Sequence, residues 1–580
     1  MKRGDRAEQY GRTVGDELPD YELAARRGRS SLAAALISRH NQRMDRVGLV
    51  SAAVTTRSRI IVNQLFVLES MLRKLRSRNA WMARAEAAPW LRHLHWGVDS
   101  LVSAIRLLAS GQLIGATQIA RSQLERWALN LAHNSGNRRS PGESTVDYYT
   151  RLWSGRTFFH VGSPGPDHLR SASAAERMLL PGVLYGAVSE FLHGRGPDAK
   201  ALLCEPCLLL DQEFIASMDE PAGKILDLID LCVDRLRACV ATAMEEAGYP
   251  DREVGGFYRG SFIADPAGAK PFARWGLWPL DPETGLSATI VERLRVNQDR
   301  IERVYNGERP DGRLYRDDEI SESYFLFKRA TVAAKALAAF EDEAKRLSRP
   351  VESLHLGDPQ TRFVFVAETL GLVGSWSHRR KEVAIALAAA SSGFRSAYWL
   401  WLEDDDRAMG VLRVVLESLA RVKTWIKNEN RARKLENKSS TTPRDWLEAA
   451  GWRRLHALNL ALGELAHTRE NSRWGGARDL LVQLLPPEVP PELAPHRGRG
   501  FALETVVKLA ARLCIEVVAV QSEELKVALA DLLESTGTFD DQVDAHLDAW
   551  LLRNWDNRNF DLGEGDFVRP GRDDLAETTT

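Results

Sequence analysis

The sequence predicts an almost all-α protein made of two divergent copies of a multi-helix bundle, arranged as a pseudo-dimer. Three observations carry that expectation. Apolar residues recur at three- and four-residue steps through most of the chain, strand-like alternation is scarce, and two polar patterns occur twice in the same order. At 580 residues the chain is also too long for one hydrophobic core.

Taken in order, residues 1–84 read as an N-terminal helical arm, with SLAAALISRH (31–40) and IIVNQLFVLESMLRKL (60–75) both in helical period. Residues 85–250 form the first bundle, running from LVSAIRLLASGQ (101–112) to KILDLIDLCVDRLRACVATAM (224–244). A capping box, Ser173 to Glu176, marks a helix start inside it. Residues 251–364 form a linker that opens with a Gly/Pro/Trp-rich stretch and closes with the helix SESYFLFKRATVAAKALAAFEDEAKRL (321–347). The best strand candidates, FYRGSFIADP (257–266) and ARWGLWPLDPETG (273–285), lie in that stretch, so the linker is expected to be irregular or β-containing. Residues 365–535 form the second bundle, where Thr442 before Pro443 signals a capped helix start and FALETVVKLAARLCIEVVAVQ (501–521) a long apolar helix. Residues 536–580 add a C-terminal helix and a loose, apolar-poor tail.

The duplication rests on two alignments. ATQIARSQLERW (116–127) lies over AMGVLRVVLESL (408–419), matching Arg121 with Arg413 and Glu125 with Glu417. LYGAVSEFLHGR (184–195) lies over LNLALGELAHTR (458–469), matching Glu190 with Glu464 and His193 with His467. The interval between the two patterns is longer in the first copy, which places an insertion near HVGSPGPD (160–167). Two fused copies pack as a pseudo-twofold pair when the contact that once served a homodimer is kept.

These eight residues, Arg121, Glu125, Glu190, His193, Arg413, Glu417, Glu464 and His467, are the candidate site. On a helical wheel of about 100° per residue, Leu184, Ala187, Val188 and Phe191 define the core face, and Glu190 and His193 turn away from it. Leu458, Leu462 and Leu465 repeat that face, with Glu464 and His467 outside it. The small residues Gly186, Ser189 and Gly463 admit a second helix near the histidines, so these polar groups are expected to meet other helices. The Arg-x-x-x-Glu pairs stand in the weaker i,i+4 order, which again favours a role between helices. A shared pocket is the enzymatic alternative, with arginine recognising an anion and Glu and His moving a proton. A Glu plus Glu-x-x-His set in two copies also matches the ligands of a di-metal carboxylate oxidase, the minority reading.

Arg126 and His133, in RWALNLAH, are spaced as Arg-x6-His, which resembles HEPN-type ribonucleases over eight residues. That resemblance implies metal-independent RNA cleavage by paired helical domains. The second copy has Ser418 and Trp425 at the matching positions, so a symmetric composite site is missing.

Other features exclude more than they assign. Cys204-Glu-Pro-Cys207 lies among leucines, and five cysteines in all fit a reducing compartment and packing roles. The net charge of −1 carries no overall footprint for nucleic acid; the basic run 421–438, with Trp425 among the cations, offers it a local contact. The first residues, MKRGDRAEQY, carry charge with no apolar core behind them, and no stretch is apolar enough to span a bilayer, so a cytoplasmic protein is expected. The Arg/Ala-rich, Lys-poor usage is that of a GC-rich bacterial genome. No phosphate loop, dinucleotide fingerprint or nucleophile elbow is present, and no cofactor is expected. The expectation is an interaction or regulatory subunit with a protein partner or a second copy of itself.

Overall fold

The computed structural model describes residues 18–47, 52–76, 89–109, 111–135, 140–143, 181–203, 212–248, 358–376, 380–402, 407–438, 441–466 and 494–539. Among these, all regular structure is helical. The linker strand candidates, the Ser173–Glu176 box, the Cys204/Cys207 pair and the tail lie outside the described residues. No described helix is long and apolar enough to cross a membrane.

The chain divides into two compact units. One, unit A, is assembled from Met44–Phe191 and Asp211–Val351; the other, unit B, from Met1–Arg43, Leu192–Leu210 and Glu352–Thr580. Neither unit is continuous in sequence.

Unit A contains α3 (Ala52–Arg76), α4 (Pro89–Ala109), α5 (Leu113–Ser135), α6 (Pro181–Leu192) and α7 (Gln212–Glu246), numbered after two N-terminal helices introduced below. Helix α4 packs on α3 and on α5, and α7 packs against all three. Only three residues separate α4 from α5, so the two run antiparallel. Their facing sides supply a dry core of Leu101, Ile105, Leu108, Ile114 and Leu124, all buried. Leu184, Val188 and Phe191 are buried along α6 while Glu190 is exposed, as the wheel predicts. Arg57 on α3 reaches Asp227 at 2.5 Å and also Asp230, tying the first helix to the last.

Unit B opens with α1 (Leu18–Arg26) and α2 (Arg29–Val47), the latter belonging to it through Arg43. It continues with a 3-10 turn (Pro197–Leu203), α8 (Asp358–Trp376), α9 (Lys381–Leu402), α10 (Arg407–Lys427), α11 (Glu429–Glu436) and α12 (Pro443–Ala450). A second 3-10 turn (Arg453–Leu455), α13 (His456–Ala466), α14 (Ala494–Ala519) and α15 (Glu523–Ser535) complete it. Helix α9 packs on α8 and α10, and α14 packs against all three. The run from Val383 to Ala390 is buried throughout, which suits an Ala-rich helix that neighbours approach on several sides. Gly374 on α8 illustrates the closeness: a Cβ there would lie 3.2 Å from Leu387 Cβ. Gly410 does the same where α10 meets α13, within 3.0 Å of Ala466 Cα.

Local sequence sets the ends of these helices. Thr442 caps α12 and forms a capping box with Asp445, Pro443 occupies the first turn, and Gly451 closes the helix at φ +83°. Asn428 and Ser522 cap α11 and α15 by accepting from Arg431 N and Leu525 N.

Candidate functional site

The two Arg-x-x-x-Glu pairs lie on α5 and α10 and close as the spacing predicts. In unit A, Arg121 Nε donates to Glu125 Oε1 at 3.0 Å. A third group joins them: Tyr185 on α6 donates its hydroxyl to Glu125 Oε1 at 2.7 Å and accepts from Arg121 Nη2 at 3.1 Å. The Arg121 guanidinium also lies over the Tyr185 ring, 5.1 Å from its centroid. Burial, reinforced by the Glu125 carboxylate, pushes the Tyr185 phenol well above its ordinary range, so it stays a neutral donor.

In unit B, Arg413 Nε donates to Glu417 Oε1 at 3.1 Å, and His193 Nδ1 stands 3.1 Å from Glu417 Oε2. Both carboxylate oxygens are therefore engaged. Gly463 leaves room for this arrangement, since a Cβ there would meet the Arg413 guanidinium at 3.5 Å. His193 begins the turn His193-Gly194-Arg195-Gly196, whose two glycines adopt φ +63° and +77°. Arg421 holds that turn by donating from Nη1 to the carbonyls of His193 at 3.1 Å and Gly194 at 3.4 Å. Its other edge forms a two-pronged pair with Glu436, with Nη2 to Oε2 at 2.8 Å.

Beside the turn lies a pocket of about 30 Å³. His193, Arg195, Glu417 and Arg421 form one side; Ser418, Thr441 and Thr442 contribute hydroxyls; Leu192, Val414 and Trp446 provide apolar wall. Thr441 Oγ1 is buried without a hydrogen-bond partner. The His193 side chain is 40% exposed, so the pocket is reachable from solvent.

Sequence reasoning missed a third polar set. Glu368 on α8 is wholly buried and accepts from Arg39 Nη1 at 3.0 Å and His40 Nδ1 at 2.9 Å, both on α2. Arg395 Nη1 on α9 stands 3.6 Å from Glu368 Oε1 and donates to Ser391 Oγ at 2.7 Å. The signal was present: FVLES (66–70) lies over FVAET (365–369), and AIRLL (104–108) over GFRSA (393–397). Glu69 and Arg106 of unit A are buried like Glu368 and Arg395 of unit B.

The remaining candidates are placed as follows. Glu190 is exposed on α6. Arg126 and His133 fall on α5, and Glu464 on α13, but their side chains, like the whole of His467, lie outside the described residues. Among the described residues, no group of three or more His, Cys, Asp or Glu is placed to hold a metal ion. Cys232 and Cys514 are buried, which raises both thiols far above their ordinary range. In the basic run, Trp425 is buried and donates to Glu436 at 3.3 Å, with Arg433 over its ring. Arg421, Lys423 and Arg433 pair with Glu436, Glu516 and Glu429, so three of the run's cations are held by carboxylates of the fold.

No protein-family model matches the chain, and no curated protein and no solved structure is significantly similar to it.

Proposed function

We propose that the chain is a two-module helical interaction or regulatory protein, built from two divergent copies of one bundle and serving as a subunit of a larger bacterial assembly. The observation that carries this reading is how the repeated Arg-x-x-x-Glu pairs are used. Each glutamate is buried and tied both to its own arginine and to a ring from a later or distant segment: Tyr185 in unit A, His193 in unit B. A carboxylate bound on both sides by the fold is suited to fixing helices and poorly suited to general-base work on a substrate.

The shared helix order supports the duplication. In each unit the first three helices, α3–α4–α5 and α8–α9–α10, pack in sequence, and the last, α7 or α14, packs on all three. A buried Glu on the first helix and a buried Arg on the second recur as well. Support for a partner comes from apolar surface in unit B. Val520 is 78% exposed and Val527 60%, on or beside α15, against which α1 packs with Leu23 also exposed. Single exposed apolar residues are ordinary, and three of them on or beside α1 and α15 make this the surface on which the proposed partner is tested first.

The test is co-expression of the full chain with the products of neighbouring genes, wild type beside the double variant Val520→Asp/Val527→Asp. Co-purification with one product, lost in the variant at unchanged melting temperature, is the expected result. The competing ribonuclease-like reading is examined on the same preparations. RNA cleavage that disappears in His133→Ala, with no partner retained, would replace the interaction reading with the enzyme.

A further inference from the structure

We infer that the surface of unit B where α10, α11 and α12 meet binds single-stranded nucleic acid, with phosphates on Lys427, Arg431, Lys434 and Arg454 and a base on Trp452. This goes beyond the interaction reading and does not depend on it.

Folding gathers these cations into one corner of the unit. Helix α10 packs on α11 and α12, and α11 packs on α12. Two ion pairs fix the corner: Arg380 Nη2, just before α9, reaches Glu429 Oε2 at 3.3 Å, and Lys438 Nζ, just after α11, reaches Asp445 Oδ1 at 3.5 Å. Lys427 ends α10 beside the cap of α12, since a Cβ at Gly451 would lie 2.7 Å from Lys427 Nζ. Arg454 follows that cap in the next turn. Ala432 and Leu435 turn inward from α11, which leaves Arg431 and Lys434, one turn apart, together on its outer face. Arg431 lies four residues after Lys427, so the chain holds the two within about 14 Å of one another.

The acids of the same corner are already committed to other cations. Glu429 pairs with Arg433, Glu436 with Arg421, Asp445 with Lys438 and Glu448 with Arg444. Lys427, Arg431, Lys434 and Arg454 are all exposed, and among the described residues their side chains have no ion pair or hydrogen bond. Such a group of cations, on a chain whose net charge is −1, is a local attraction for a polyanion. An aromatic ring decides which polyanion. Trp425, the tryptophan of the basic run, is buried, whereas Trp452 is half-exposed between Gly451 and Arg453. Among the described residues its ring has no aromatic or cation–π contact, so a face is open to a ligand. A flat ring set among cations suits a base stacked beside its own phosphates. An acidic peptide or a sulfated sugar would use the cations and leave the ring idle.

The test titrates labelled oligouridylate and oligothymidylate with the full-length protein across a range of salt, reading fluorescence anisotropy. Heparin and phosphatidylserine vesicles serve as polyanions without bases. Saturable binding is expected, weakening with salt at a logarithmic slope of about −3, because each of four phosphates contributes about 0.7. The double variant Arg431→Gln/Lys434→Gln should flatten that slope by about 1.4. Trp452→Leu should weaken binding at least about fivefold at an unchanged slope, and Trp452→Phe, which keeps a ring, should recover most of the loss. All three variants should melt like wild type, so lost binding is not lost folding. Tighter oligouridylate identifies RNA, tighter oligothymidylate identifies DNA, and equal affinities show that the sugar is not read; each upholds the inference. No saturable binding to either strand would overturn it, as would a wild-type slope in the double variant. Wild-type affinity in Trp452→Leu, or no recovery in Trp452→Phe, would overturn it too, and heparin or vesicles held by the same cations would then name a partner without bases.

Discussion

Helices α5 and α10 carry the same Arg-x-x-x-Glu pair, yet the third group that completes each pair differs in chemistry and in exposure. Unit A uses Tyr185, 4% exposed, its phenol raised above the ordinary range by burial. Unit B uses His193, 40% exposed, with a second ring nitrogen beyond the one that Glu417 holds. One pair is sealed into the helix packing; the other sits at the mouth of a pocket. The same two residues four apart therefore serve as a structural clasp in one place and as the support of a solvent-reaching ring in the other. What decides between them is the residue delivered from outside the helix.

The contrast can be tested most severely at the deepest layer. Glu368→Ala removes the buried carboxylate that Arg39, His40 and Arg395 face, and a cost of about 3–5 kcal/mol is expected in chemical denaturation. If Glu69→Ala costs a similar amount, the two units share a buried acid as well as a helix order; an inconsequential Glu69→Ala would break the parallel.

Acid should then separate the units by sign. Burial, with Arg444 and Arg413 adding to it and Glu448 opposing, lowers the His456 pKa of unit B from 6.5 to about 4. The unfolded chain takes up that proton below pH 6.5 while the folded unit refuses it. Stability is thus lost as pH falls towards 4, on the order of 2 kcal/mol. Asp230 of unit A behaves oppositely: burial raises its carboxyl from 3.8 to about 6 against the pull of Arg57. The folded unit keeps a proton that the unfolded chain releases, so this contribution is complete below pH 3.8 and vanishes as pH rises through 6. Melting curves of His456→Gln and Asp230→Asn across pH 4–7 should remove slopes of opposite direction. Slopes of one sign would contradict the assignment.

Smaller effects sharpen the comparison at the pairs themselves. Tyr185→Phe removes a buried hydroxyl that bridges two side chains and should cost about 1–2 kcal/mol. His193→Ala, losing a half-exposed contact, should cost less than about 1 kcal/mol. Equal losses would remove the distinction between clasp and support. Smallest of all, Gly463→Ala places its methyl at ordinary contact distance, 3.5 Å from Arg413. It should leave stability within about 1 kcal/mol of wild type, because the helix-propensity gain offsets the tighter fit. A thermal melt suffices to check it.

Much of the helical frame was legible because its causes are local. The Thr442-Pro443 cap, the buried face of α6 and the outward Glu190 all follow from spacing within one or two turns. The i,i+4 pairs followed for the same reason. Their completing rings did not, since Tyr185 lies 60 residues from Glu125 and His193 is supplied to unit B from between two stretches of unit A. Spacing cannot announce a contact made across such intervals. The Glu368 set was hidden differently. Its neighbours in sequence are apolar, so a glutamate and an arginine each read as isolated polar residues in core helices, although the similar stretches around Glu69 and Arg106 were in plain view. In the basic run, Glu429 and Glu436 stand within the sequence itself, whereas Glu516 on α14 becomes a neighbour of Lys423 only on folding.

The distance between Arg39 and Glu368, 329 positions along the chain, sets a timetable for synthesis. The ribosome releases α2 long before its carboxylate exists, so Arg39 and His40 must wait for Glu368 before they can make this contact. Unit B can close only once α8 emerges, by which point the described helices of unit A are already made. A ribosome stalled in between would leave α2 made without the buried acceptor that Arg39 and His40 share in the folded chain.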